Sequence, residues 1–206
     1  LVDVEGGTSG CVETGSFGKE AYILHGYLNV PKILELTLNN GVDPMTGKKI
    51  GLETGDPESF ATFDDLYAAF EKQLRFVVET KIETDNFLQR MFATYAPAPF
   101  LSVVINDCIK NGRDYYDGGP RYNADYIQCC GIATITDSLS VLKKHVFEDN
   151  TVAMGTILDA LKKNWEGEEP LRQFVWNKTP FFGNDDDYAD SIMQRVYDSL
   201  FRTIEG

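Results

Sequence analysis

Residues 6–15 read Gly6-Gly7-Thr8-Ser9-Gly10-Cys11-Val12-Glu13-Thr14-Gly15, and this stretch constrains the chain most. Four glycines and three hydroxyl residues make it unsuitable for a helix interior or an ordinary strand, and allow close approach to a ligand or another backbone. In its middle lie a thiol and a carboxylate two residues apart. In extended backbone, positions i and i+2 point to one side. Cys11 and Glu13 are therefore expected to face one cavity, with Val12 turned into packing. By itself the pattern describes a small buried thiol beside a solvated carboxylate more readily than a reactive pair.

A length of 206 residues suits one domain or part of a larger one. With 43% hydrophobic and 12% aromatic residues, the chain can bury a real core. Nineteen basic against 32 acidic side chains give a net charge of −13. That excess argues against nucleic acid or an anionic membrane as partner. No apolar run approaches the roughly 18 residues needed to span a bilayer. The first residue is Leu and no basic or apolar leader follows, so no signal peptide is expected. The four cysteines, at 11, 108, 129 and 130, show no metal-ligand spacing. Reduced thiols and a cytoplasmic location follow.

Along the chain, Asn29 is expected to cap a helix with Pro31 in its first turn, ended by Asn39-Asn40-Gly41. Residues 42–59 are rich in turn signals and suit a surface excursion or small hairpin. Thr62 and Asp65 form a capping-box-like start. Apolar positions from Leu66 to Phe92 then recur at helical spacing, predicting a helix from about Phe63 to Tyr95 that Thr84-Asp85-Asn86 breaks or kinks. A further helix is expected from Phe100 to Lys110, a buried strand from Tyr126 to Thr134, and a helix starting at Asp137-Ser138. Helices near 155–165 and 170–177 follow. A last helix, from about Asp187 to Thr203, carries Ala189, Ile192, Met193, Val196 and Leu200 on one stripe. Helix predominates, the few strands look buried, and no repeat or linker appears. The fold class expected is α/β, as a segment of a larger architecture.

The run Gly10-Cys11-Val12-Glu13 resembles the finger loop of the glycyl radical enzymes, the pyruvate formate-lyase-like superfamily. Two other stretches resemble the same family, in the same order. They are Gly118-Gly119-Pro120-Arg121-Tyr122-Asn123 with Asp137-Ser138-Leu139 downstream, and Gly183-Asn184-Asp185-Asp186. The resemblance covers essentially the whole chain. It implies one internal segment, residues 1–206, of a catalytic α/β barrel with a central cysteine finger at about 6–18. The N-terminal part and the C-terminal glycyl radical domain are then absent. The family's radical-bearing motif is missing here: Arg195-Val196-Tyr197 begins like it but has no glycine.

Acyl-transferring members carry two adjacent finger cysteines, whereas Gly10 precedes Cys11 here. Members that cleave choline or glycerol read proline where Thr14 stands. The continuation from Thr14 to Leu24 is most similar to the hydroxyproline-dehydrating branch, and Tyr27 matches a substrate-pocket tyrosine there. The resemblance implies a thiyl radical on Cys11, Glu13 as general acid/base for loss of water, and Tyr27 on a small-molecule substrate. It further implies a radical installed on a glycine outside this chain by a radical S-adenosylmethionine iron–sulfur activating enzyme, a homodimer at full length, and an inert isolated segment. No cofactor or metal site is expected within the segment. His25 and His145 are read as structural or exposed, Asp185 to Asp187 as a helix start, and Arg121 and Asn123 as fixing a turn. Gly15-Ser16-Phe17-Gly18-Lys19 lacks the hydroxyl residue and glycine placement of a phosphate loop. Other readings are a different glycyl radical lyase or decarboxylase (diol dehydratase, choline lyase, arylacetate decarboxylase) and a non-catalytic acidic helical binding module.

Overall fold

The computed structural model describes residues 6–9 and 13–205. The chain divides into two compact units, Leu1–Leu28 with Thr80–Gln128, and Asn29–Glu79 with Cys129–Gly206.

The first unit contains β1 (Gly6–Ser9) and β2 (Glu13–Ser16), which pair antiparallel with Ser9 opposite Glu13 and Gly6 opposite Ser16. The glycine-rich stretch thus forms two ladder strands, contrary to the expectation that it would not. A ladder needs only backbone donors and acceptors, and glycine supplies both at an entropic cost that pairing offsets. Next, β3 (Glu20–Ile23) pairs parallel with β5 (Tyr122–Asp125) in the register Glu20–Tyr122 to Ile23–Asp125. Ala21 and Ile23 pack on Tyr115, with Ala98, Ile105 and Tyr116 around them. The side of β3 away from β5 is served by Tyr115, whose hydroxyl accepts from the Tyr22 N–H at 2.6 Å. Tyr115 is held in turn by Asp114, which accepts from the N–H groups of Ala98 and Tyr116 and from the Ser102 hydroxyl.

The region expected as one helix from Phe100 to Lys110 is two, α3 (Pro99–Val104) and α4 (Cys108–Asn111), in the element order that follows α2 (Phe63–Tyr95). Asp107 between them has φ +75°, and its carboxylate accepts from Arg121 Nε at 2.9 Å. The Asn106 N–H goes to the Gly18 carbonyl instead of the preceding helical turn. Long-range partners here overrule a helical pattern. Arg121 and Asn123 fix the entry to β5 as expected, the Asn123 amide donating to the Pro120 carbonyl.

In the second unit α1 (Val30–Leu38) is capped by Asn29, whose side chain accepts from Lys32 N–H, and it closes on Asn40 and Gly41 with positive φ. The excursion after it is short-bridged by Val42 and Lys49. Asp43 is held by Lys32 and Thr46, which keep its carboxyl down at about 2. Thr62 and Asp65 form the expected reciprocal cap of α2. The predicted break at residues 84–86 does not occur: α2 continues through it. There the Thr84 hydroxyl donates to the Thr80 carbonyl, and Asp85 pairs with Lys81 at 2.7 Å.

The strand expected from Tyr126 to Thr134 is displaced. β5 ends at Asp125, β6 (Gln128–Cys130) is three residues and half-buried, and Ile132 is already helical. Gly131 sets this boundary. It has φ +79°, and a Cβ there would lie 2.5 Å from the ring of Pro31 on α1. Helix α5 (Ile132–Val141) then continues as a π-helical stretch, Leu142–Glu148. After it come α6 (Met154–Lys162), α7 (Glu169–Lys178) and α8 (Asp187–Glu205). Ala189, Ile192, Val196 and Leu200 of α8 are buried as predicted, each large one contributing roughly 1.5–3 kcal/mol by burial, and Met193 is half-buried. The α8 seam also carries polar contacts to α2. Ser199 meets the Tyr67 hydroxyl at 3.1 Å, and Arg195 lies 3.8 Å above the Tyr67 ring while pairing with Asp64.

The π-helical stretch presents His145, 1% exposed, between Thr151 on Nδ1 at 3.1 Å and Thr179 on Nε2 at 3.0 Å. Thr179 gives its own proton to the Val175 carbonyl, so its oxygen receives Nε2–H and Nδ1 is the acceptor for Thr151. This is the structural role expected of His145. Burial, aided by nearby Lys144, lowers its pKa below the ordinary histidine value. The unfolded chain therefore protonates first. The stabilisation is complete above about pH 6.5 and is lost as pH falls through that value toward the folded pKa. Replacing His145 by Ala in the protein carrying this chain leaves two threonine hydroxyls without their partner, and is expected to cost about 2–4 kcal/mol in chemical denaturation. His145→Gln is expected to lose stability less steeply than the parent between pH 6.5 and 5.

Candidate active site

Of the residues the resemblance points to, Glu13 and Tyr27 lie within the described structure, and Cys11, with the face it was expected to share with Glu13, lies outside the described residues. Glu13 opens β2 and is half-buried. Along a strand, residues 13 and 15 share a face. A Cβ built on Gly15 would lie against the carboxylate of Glu20, 2.8 Å from its Cδ, and 2.9 Å from the Tyr22 hydroxyl. The Glu13 face of β2 is thereby the face turned to Glu20 and Tyr22.

Below β2 sits a compact polar group. Glu20 is 4% exposed; one carboxylate oxygen accepts from the Ser16 N–H at 2.8 Å and the other from the Tyr126 hydroxyl at 2.9 Å. The Tyr126 hydroxyl also reaches the Thr14 carbonyl at 3.2 Å. Tyr22 stacks on Tyr126 with centroids 5.9 Å apart and planes 8° from parallel. The buried Tyr22 hydroxyl has no hydrogen-bond partner among the described residues. Burial, the hydrogen bond to Glu20, and the negative charges of Glu20 and Glu13 push the Tyr126 phenol well above the ordinary tyrosine range. Burial and Glu20 push Tyr22 the same way. Both rings therefore remain neutral donors at physiological pH, and Glu13 lies close enough to Tyr126 to act on it electrostatically.

Sequence reasoning missed Glu20, Tyr22 and Tyr126. The Glu20-x-Tyr22 alternation was a strand signal with one polar face, but the partner strand, a hundred residues away, was invisible to it. Tyr27, the third flagged residue, stands at the start of β4 (Tyr27–Asn29) with 64% of its surface exposed. His25 stacks on Phe92 at 5.5 Å, with its Nε2 buried and without a hydrogen-bond partner among the described residues. Burial raises the carboxyl of Asp125, which nearby His25 and Lys81 draw down and Asp85 raises. Cys108 is buried. In the second unit, an apolar groove of about 450 Å³ runs along Leu34, Leu38, Leu142, Leu158 and Trp165.

The chain belongs to the pyruvate formate lyase-like family, whose model matches residues 3–206. It is 53% identical over 201 residues to trans-4-hydroxy-L-proline dehydratase of Clostridioides difficile, covering 98% of this chain and 26% of that protein. It is 34% identical over 200 residues to (2S)-3-sulfopropanediol dehydratase of Klebsiella oxytoca, covering 96% and 24%. Among solved structures, it superposes with a TM-score of 0.92 on the C. difficile hydroxyproline dehydratase with trans-4-hydroxy-L-proline bound, covering 96% of this chain and 25% of that one. It matches the glycerol dehydratase of Clostridium butyricum at TM-score 0.87 and 33% identity, covering 97% and 25%. The chain thus spans about a quarter of the length of these relatives. The segment of a glycyl radical enzyme barrel expected from the sequence is the fold found. No helix among the described residues is long and apolar enough to cross a membrane.

The Gly15 contact makes a direct prediction. Gly15→Ala pushes a methyl group into the Glu20 carboxylate and the Tyr22 hydroxyl, and is expected to destabilise the protein by about 1–3 kcal/mol. A thermal unfolding midpoint unchanged from the parent would count against this close approach.

Proposed function

We propose that the protein carrying this chain eliminates water from trans-4-hydroxy-L-proline, with Cys11 as the hydrogen-abstracting thiyl and Glu13 as general acid/base. The observation that carries this reading is the 53% identity across 98% of the chain to a dehydratase of that substrate. The Gly10-Cys11-Val12-Glu13 finger and the Tyr27 position support it.

A radical held on a glycine outside this chain, installed by a radical S-adenosylmethionine iron–sulfur activating enzyme, supplies the hydrogen-atom acceptor that converts the Cys11 thiol to a thiyl. Cys11 then takes a hydrogen atom from the ring carbon next to nitrogen. The C–O bond on the neighbouring carbon breaks, and Glu13 gives the departing hydroxyl a proton so that it leaves as water. Cys11 returns its hydrogen atom to the substrate-derived radical, and Glu13 takes back a proton, so the net change is loss of one water. A proton donor must sit within hydrogen-bond reach of the leaving oxygen. A carboxylate two residues from the thiol meets that need, because the two reacting bonds lie on adjacent carbons. Tyr27 donates a hydrogen bond to the substrate. The working enzyme is a cytoplasmic homodimer, and the isolated segment is inert because the radical glycine and the rest of the pocket lie elsewhere.

In the full-length protein, activated without oxygen, Cys11→Ser is expected to abolish product, and activity surviving that change overturns the mechanism. Glu13→Gln is expected to lower kcat by at least about a hundredfold. Tyr27→Phe should raise KM by roughly tenfold with a smaller effect on kcat, the signature of one lost ground-state hydrogen bond. A second reading rests on the 34% identity to a sulfopropanediol dehydratase, which leaves room for another lyase of the family. Assays with hydroxyproline, propanediol, choline and arylacetates separate the two: turnover of one of the others, and none of hydroxyproline, selects the second.

A further inference from the structure

The proton transfer assigned to Glu13 demands that β2 be held still. The two strands of the hairpin carry Gly6, Gly7 and Gly15, and its outer face holds Thr14 exposed. Side-chain packing can do little to fix such a strand, because glycine offers none. What does hold it is polar. The Ser16 N–H is taken by one oxygen of Glu20, and Ser16 is itself 3% exposed. The other Glu20 oxygen binds the Tyr126 hydroxyl, and that hydroxyl also reaches the Thr14 carbonyl. One buried carboxylate and one phenol therefore grip β2 at residues 14 and 16, on either side of Gly15. Gly15 has no side chain, which leaves room for the grip to close.

The floor is anchored independently of the finger. Glu20 and Tyr22 belong to β3 and Tyr126 directly follows β5, which β3 pairs in parallel. The Tyr126 N–H donates to the Ile23 carbonyl, extending that ladder by one bond at 2.8 Å. Tyr22 covers the opposite side of the Tyr126 ring as a parallel stack. The phenol is thus located by backbone and by ring packing, so its hydroxyl is a fixed point against which the finger strand is set.

We propose that Tyr126, together with Glu20, is a positioning residue for Glu13: it ties the finger strand to the parallel β3–β5 pair and so sets the place from which the carboxylate exchanges its proton. This rests on the dehydratase reading for its catalytic consequence, while the tie itself does not depend on the substrate. Tyr126 has a single hydroxyl proton and two acceptors, the charged one nearer. Tyr126→Phe removes both contacts and keeps the ring stack.

The test uses the full-length protein in two states. In the unactivated protein, hydrogen–deuterium exchange of residues 13–16 is expected to quicken by about tenfold in Tyr126→Phe, with exchange in α8 unchanged. In the activated protein, the same variant is expected to lower kcat about tenfold, the worth of one hydrogen bond to a charged group, with KM for trans-4-hydroxy-L-proline within about twofold of the parent. The pH–kcat profile should also shift, because a displaced Glu13 titrates in a different field. Glu20→Gln offers one acceptor where two donors converge, and is expected to reproduce the faster exchange. A Tyr126→Phe enzyme with parental exchange in residues 13–16, parental kcat and a parental pH profile overturns the proposal, even if its unfolding midpoint drops. If the parent protein, carrying its full radical, turns over no hydroxyproline, the dehydratase reading fails. The tie is then judged on exchange alone, quickened exchange supporting it and unchanged exchange overturning it.

Discussion

A buried carboxylate that accepts at both oxygens is the interaction on which the first unit depends. Glu20 receives a backbone N–H from β2 and a phenol from the residue after β5, and so joins β2 to the β3–β5 pair, which forms a separate sheet. An acid 4% exposed is tolerable only when its lone pairs are filled. Here filling them builds the site. Removing either donor leaves the carboxylate under-satisfied in a place water reaches poorly, so the strength of the arrangement lies in the cost of leaving it incomplete.

The same logic, buried polar groups each given a partner, recurs in the second unit with a different purpose. His145 lies between two threonines inside a π-helical stretch, and Asp43 is gathered by Lys32 and Thr46. Those groups secure packing between elements of that unit. The group around Glu20 differs: its Tyr22 hydroxyl is buried without a hydrogen-bond partner among the described residues.

Much of the helical architecture was legible beforehand. The Asn29 cap, the Thr62–Asp65 box, the span of the long helix and the apolar stripe of the last helix each rest on local chemistry or 3.6-residue periodicity. The misreadings have two causes. Thr84-Asp85-Asn86 looked like a breaker, yet Asp85 found Lys81 one turn back and Thr84 bonded the Thr80 carbonyl. Phe100 to Lys110 looked continuous, yet Asp107 turned left-handed to meet Arg121. The helix expected to start at Asp137 begins at Ile132, because Gly131 must both turn and admit the Pro31 ring. In the last two cases the deciding partner lay outside the window over which a pattern is read, whereas at 84–86 it lay one helical turn back.

The sequence by itself determined that a thiol and a carboxylate stand two residues apart within a glycine run, a covalent fact that folding cannot alter. It also determined the family, since motif order survives in any conformation. The tertiary structure decided what Glu13 faces. Only the parallel pairing of residues 20–23 with 122–125 places Tyr126 beside Glu20, and both beneath the strand that bears Glu13. Pairing across a hundred residues is chosen by the summed fit of two strand faces and a ladder of backbone bonds, and no local stretch of chain contains that sum.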